Sequence, residues 1–156
     1  MVLEGSSDPL VPLVSSVPER AGEGAARRFV EDQRHRLRDG FGYSFVIAED
    51  GADRGVGSIG LWTRDLDLGR ASVGYWVVPS ARGRGAASAA LGALSRWALL
   101  ELAVPRLELA VEPWNTPSIR TAERAGFVLE GLLRSWQVVG DERRDVYLYS
   151  LLRTDL

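Results

Sequence analysis

The chain contains no cysteine, which excludes disulfides, thiolate metal sites and any reaction that passes an acyl group through a cysteine thiol. It also contains no lysine: all 19 basic residues are arginine, so no side-chain amine is available for self-acylation. The single histidine, His35, stands among Arg34, Arg36 and Arg38 and reads as a solvated side chain on a charged helix face. A Ser-His-Asp triad is thereby removed from consideration, and no metal site is expected. No apolar run approaches the roughly 20 residues that cross a bilayer. The start lacks the basic and then apolar pattern of a secretory signal. A cytoplasmic location without a membrane partner is expected. The net charge of −2 argues against a nonspecific nucleic-acid partner, although local arginines can still hold phosphate groups.

What is present suits one hydrophobic core: 156 residues, 46% apolar and 26% charged, read as a single domain over 1–156. Pro9, Pro12 and Pro18 among small polar residues make Met1–Ala21 an irregular lead-in. Ala26, Phe29, Val30 and Leu37 fall on one stripe of a helix from Glu23 to about Arg38. Three strand-like runs follow, Tyr43–Glu49, Val56–Thr63 and Arg70–Val78, joined by short Gly- and Asp-bearing turns that predict an antiparallel meander. Both faces of the third run are largely apolar, which suits a central strand.

A helix is predicted from about Arg84 to Leu102 on the spacing of Ala87, Leu91, Leu94, Ala98 and Leu102, followed by a strand over Arg106–Glu112. That βαβ crossover implies one parallel pair in an otherwise antiparallel sheet. Another helix begins near Trp114–Ser118, with Asn115 or Thr116 as cap and Pro117 in its first turn, and stops at Gly126. Phe127–Val139 and Arg143–Leu152 form a hairpin around Gly140-Asp141. The fold class is α/β in the α+β sense: a mixed, mostly antiparallel sheet with helices on both faces.

The most informative segment joins the central strand to the long helix: Pro79-Ser80-Ala81-Arg82-Gly83-Arg84-Gly85-Ala86-Ala87-Ser88. Small residues let the backbone approach a ligand, and the free N–H groups of a helix start face an anion such as a pyrophosphate. Arg82 and Arg84 add charge, each contact being worth about 0.3–2 kcal/mol. The segment falls short of the dinucleotide fingerprint, whose third glycine is replaced by Ser88, and lacks the Gly-Lys-Ser/Thr of a phosphate-binding nucleotide triphosphatase loop. The plainer alternative is a tight turn without a ligand.

Arg82-x-x-Gly85-x-Ala87 after an apolar strand, together with Asn115-x-x-Ser118 and Ala125-Gly126-Phe127, resembles the GNAT superfamily of N-acetyltransferases. Gly74-Tyr75-Trp76-Val77, the stretch from Glu112 to Arg120, and Glu130-Gly131-x-x-Arg134 are similar to its RimJ/RimL-like branch, which acetylates the N-terminal amines of ribosomal proteins. The similarity is clear from about Phe41 to Leu152. It implies acetyl-CoA as cofactor, with its diphosphate on the main chain of Arg82, Gly83, Arg84, Gly85, Ala86, Ala87 and Ser88. It further implies that the central strand splays from Arg106–Glu112 to leave a slot for the pantetheine arm. Trp76, Val77 and Val78 would line that slot, the N–H of Val77 or Val78 polarising the thioester carbonyl. Asn115 would contact the arm, and Ser118 would lie near the sulfur. The chain departs from the family at two places. It begins too late to hold the usual first strand and helix whole, and it has Ala122 where many relatives carry a tyrosine.

The expected chemistry is direct attack by a neutral amine in a ternary complex, with a main-chain N–H holding the oxyanion and Ser118 serving the departing thiolate. Glu112 is the candidate base and Glu108 its alternative. A substrate-orienting role suits either carboxylate equally. Without the resemblance, Ser118 and Asn115 read as helix-cap residues. The five tryptophans read as core or rim packing. The acceptor is expected to be a peptide N-terminus or a small-molecule amine, and a homodimer is a candidate assembly. The competing function is a non-catalytic acyl-CoA-binding module or pseudoenzyme. A nicotinamide-dependent oxidoreductase is the third reading.

Overall fold

Short turns place β1 (Gly42–Ala48), β2 (Gly55–Trp62) and β3 (Ala71–Val77) in the expected antiparallel meander in a computed structural model, which describes residues 1–156. Helix α4 (Ala86–Leu100) then crosses over and returns the chain as β4 (Arg106–Val111), parallel to β3. After α5 (Thr116–Arg124), β5 (Val128–Val139) and β6 (Glu142–Leu152) form the hairpin, and β6 inserts beside β4. The strand order is β1-β2-β3-β4-β6-β5.

Strand alternation divides the sheet into two faces. One carries Ile59, Leu61, Val73, Val77, Leu107 and Leu109, all buried, and with Leu91 and Leu99 of α4 it makes the main core. Trp97 of α4 meets Tyr43 of β1 edge-on there, with ring centroids 4.9 Å apart. The other face carries Trp62, Gly60, Ser72, Gly74, Trp76, Glu108, Ala110 and Glu112, as their cross-strand pairing requires.

The lead-in is not irregular. It holds α1 (Val2–Ser6) and α2 (Val11–Val14), followed by α3 (Glu23–His35). Val2, Val11 and Val17 are buried in the core, so tertiary burial orders a segment whose prolines had suggested otherwise. Pro12 sits in the first turn of α2, where its missing N–H costs nothing. Asp8 accepts hydrogen bonds from the N–H groups of Leu10 and Val11, both at 2.9 Å, and so organises the start of that turn. Two other boundaries move: α3 ends at His35, and α4 starts at Ala86 because Gly85 has φ of +81° and cannot continue a right-handed helix backward.

At the far end of the sheet, Arg106 ties three strands together. Its Nε donates to Glu108 Oε1 at 2.8 Å and its Nη1 to Glu130 Oε1 at 2.7 Å, while the Ser150 hydroxyl also donates to Glu130. Hydrogen bonds from Arg106 and then Ser150 hold the Glu130 carboxyl down to about 2. A carboxyl depressed in this way stabilises the folded state above its ordinary value, and that contribution disappears as pH falls from about 4.5 toward 2. Glu130→Gln should therefore cost roughly 1 kcal/mol at pH 7, after allowance for solvent screening of a partly exposed pair. Urea unfolding at pH 7 and near pH 2.5 checks this, with the difference between the two proteins expected to shrink at the lower pH.

Candidate functional site

Strands β3 and β4 pair at only two positions, Ala71 with Leu107 and Ser72 with Glu108, and then diverge. The divergence opens a slot through the sheet. Val78 N–H donates to Val56 C=O at 2.9 Å. In an antiparallel ladder the main-chain groups one residue away must point to the opposite side. Tyr75 and Val77 therefore turn their main-chain groups from β2 into the slot, beyond the last residues that pair with β4. Of the three residues expected to line this slot, Val77 alone presents its N–H there. Val78 is hydrogen-bonded to β2, and Trp76 is paired with Ser58 while its ring packs under Gly5 of α1.

The main chain between β3 and α4 has an unusual surplus of donors. The N–H groups from Gly83 through Ser88 donate to no protein acceptor, the first helical bond being Ala89 N–H to Gly85 C=O. Gly83 and Gly85 adopt φ of +76° and +81°, and a Cβ at either would meet nothing within 4 Å. Glycine is needed here for conformation, and open space in front of the loop remains for a ligand. A row of amides at the positive end of a 15-residue helix fits a diphosphate.

The two arginines of the loop do not act as expected. Arg82 donates through Nε to Val77 C=O at 3.0 Å and through Nη1 to Asp8 Oδ2 at 3.0 Å. Arg84 donates to Glu49 at 2.9 Å. Both charges are therefore engaged by the protein, and Arg82 acts by shaping the site. Of the arginines lining the 430 Å³ cavity beside the loop, Arg120 and Arg124, one turn apart on α5, have no carboxylate partner. Their four-residue spacing within the helix was the signal available in the sequence.

Asn115 and Ser118 stand at the start of α5. The Asn115 side-chain oxygen accepts the Ser118 N–H at 3.2 Å, so it is the helix cap while its amide N–H2 stays open to the cavity. The Ser118 hydroxyl lies 2.7 Å from the hydroxyl of Tyr75, a residue not singled out from the sequence. Burial raises the pKa of that phenol, so Tyr75 stays protonated.

Across the slot, a second cavity of 760 Å³ lies on the face bearing Trp62, Gly74, Glu108 and Glu112. Glu112 is buried, at 7% exposure, and accepts one hydrogen bond from Trp114 Nε1 at 2.7 Å without a cationic partner. Glu108 is held by Arg106 at 2.8 Å and Arg70 at 3.8 Å, which withdraws it as an alternative base. The two cavities share Val14, Tyr75, Asn115 and Ser118. Whatever occupies them meets at those residues.

Residues 6–128 match the family model described as an acetyltransferase (GNAT) domain. The chain is 32% identical over 149 residues to the uncharacterized N-acetyltransferase p20 of Bacillus licheniformis, covering 96% of this chain and 84% of that protein. It is 35% identical over 80 residues to the ribosomal-protein-serine acetyltransferase of Escherichia coli, covering 51% and 45% of the two chains. Among solved structures, Mycobacterium smegmatis RimJ in complex with CoA-disulfide superposes with a TM-score of 0.77 at 31% identity, over 85% of this chain and 63% of that one.

Gly85→Glu should leave the protein folded, at a cost of about 1–2 kcal/mol for a side chain at positive φ. It should weaken coenzyme A binding by about two orders of magnitude, since a carboxylate replaces open space before donors that each contribute about 1.5–3 kcal/mol to a charged ligand. Calorimetric titration checks the affinity and thermal unfolding the fold. Unchanged affinity would remove the loop from the cofactor site.

Proposed function

We propose, on the premise that the chain belongs to the GNAT acetyltransferase family, that it acetylates an amine entering from the sheet face opposite its diphosphate loop. It is an acetyl-CoA-dependent N-acetyltransferase of the RimJ/RimL-like branch. The amine is that of a peptide N-terminus or a small molecule. A cytoplasmic location fits this reading, and no helix is long and apolar enough to cross a membrane. The observation that carries the proposal is the pair of cavities, one reaching the glycine loop and one lined by Glu108 and Glu112, that join at Tyr75, Asn115 and Ser118.

Bound acetyl-CoA supplies a thioester whose carbonyl carbon is open to a nucleophile. The amides from Gly83 to Ser88 hold the diphosphate, and Arg120 and Arg124 supply the positive charge that Arg82 and Arg84 do not. Val77 N–H, turned away from β2 into the slot, would be the donor for negative charge on the thioester oxygen. Glu112 is the group in the acceptor cavity placed to take the proton released from nitrogen, directly or through a water. Little basicity is required for an N-terminal amine, whose pKa of about 7.7–8.0 leaves it partly neutral. Ser118 Oγ–H would be the hydrogen-bond donor to the departing sulfur. Tyr75, whose hydroxyl lies 2.7 Å from Ser118 Oγ, would orient that hydroxyl and, with its proton turned toward it, offset the charge it acquires.

A binding module without catalysis has no need of a buried carboxylate without a cationic partner and a hydroxyl pair lining one cavity, and these features favour the enzyme. Incubation with acetyl-CoA, a panel of amines and a thiol reagent tests the reading, and turnover is expected. Ser118→Ala should lower kcat about a hundredfold while the affinity for acetyl-CoA changes little. Tyr75→Phe should lower kcat about tenfold, with little further loss when combined with Ser118→Ala, because the two hydroxyls act as one unit. Wild-type turnover in Ser118→Ala excludes the assignment.

A further inference from the structure

The acceptor face carries a cationic feature that acetyl transfer itself does not use. Gly60 and Gly74 are directly opposed on β2 and β3. A Cβ at Gly74 would stand 3.1 Å from the Trp62 ring, and one at Gly60 would stand 2.5 Å from Nη1 of Arg36. The bare backbone at these positions lets the indole lie across the sheet, with the Arg36 guanidinium 4.6 Å from its ring centroid. Trp62 is thus a shelf under a cation, a role beyond the packing expected for it.

Arg36 is half-buried, and its only side-chain hydrogen bond goes to the neutral Gln33. Burial, and then repulsion from Arg64, push its pKa below the ordinary arginine value. Arg64 is exposed, lies 5.4 Å from the Phe41 ring and also has no carboxylate partner. Arg70, in the same cavity, differs: Asp65 and Glu108 neutralise it at 3.4 Å and 3.8 Å. Two mutually repelling guanidiniums without a counter-ion hold a positive potential at one end of the acceptor cavity, which Trp62 and Arg64 line. The unpaired carboxylate of Glu112 lies in the same cavity, beside the slot. Guanidinium groups match the planar geometry of a carboxylate.

We infer that Arg64, with Arg36 adding positive charge from behind the Trp62 ring, binds a carboxylate of the acceptor, so the preferred substrate is an amine that also carries an acid group. The inference rests on the acceptor entering this cavity, as proposed above. The acid is either the α-carboxylate of a free amino acid or an acidic side chain near the start of a peptide.

Matched acceptors distinguish these sources: amino acids against their amides, and peptide amides with Glu against Gln at the second position. In the wild-type protein with acetyl-CoA, kcat/KM for the acid member of at least one series should exceed that of its partner by about tenfold, chiefly through KM. Arg64→Ala and Arg36→Gln should each bring that ratio toward one. Equal use of both members in both series, or a preference that survives both substitutions, overturns the inference while leaving the acetyltransferase reading in place. Calorimetric binding of the same pairs to the coenzyme A-loaded protein reads the preference without turnover. Acids that bind no better than amides there overturn it as well, whereas absence of turnover with selective acid binding counts against the catalytic reading alone.

Discussion

The Arg82 guanidinium holds the site in shape. Through one nitrogen it satisfies the Val77 carbonyl, an acceptor that a continuous sheet would have paired with β4, and through another it meets Asp8. The Asp8 side chain is 4% exposed. Burial alone would raise its pKa, but the hydrogen bonds from Arg82, Val11 and Leu10 outweigh that effect and leave the carboxyl below its ordinary value. A buried charge with this many partners is costly to leave alone, so each member fixes the others. The start of α2, the end of β3 and the entry to the diphosphate loop are thereby one hydrogen-bonded unit. The slot stays open because the carbonyl at its edge is already satisfied.

This dependence explains what could and could not be read from the sequence. The meander, the crossover and the hairpin were legible because strand alternation and the Leu91, Leu94 and Ala98 spacing are local signals that the core rewards directly. Helices α1 and α2 were not, because five and four residues are too few to show a period. Their order comes from Val2 and Val11 entering a core built mostly by later segments. The loop was legible through Gly83 and Gly85, whose positive φ is a property of the chain itself.

The roles of charged and hydroxyl side chains within the loop and slot depended on distant partners. Arg82 reads as a phosphate ligand until Asp8, 74 residues earlier, is found beside it. Tyr75 and Ser118 are 43 residues apart, and nothing in the spacing of either predicts their 2.7 Å contact. Glu108 and Glu112 share a strand face, and by sequence Glu112 is the candidate base with Glu108 as its alternative. Arg70 and Arg106 separate them by neutralising the first and leaving the second with only an indole N–H.

The same register also separates what the two sides of the protein recognise. On the α5 side, the proposed diphosphate site is built mainly from the free main-chain donors of Gly83 to Ser88, and such a site would be largely indifferent to side-chain identity as long as the two glycines keep their conformation. On the opposite face, the groups proposed to meet the acceptor are side chains: Glu112, Trp62, Arg64 and, through the indole, Arg36. Arg64 is exposed and can change without disturbing the core, whereas Gly60 and Gly74 cannot accept a side chain without displacing Trp62 or Arg36. Acceptor choice is therefore adjustable at the rim but constrained at the floor. On the proposed reading, the backbone would fix where transfer occurs, and a few side chains around that point would decide which amine arrives there.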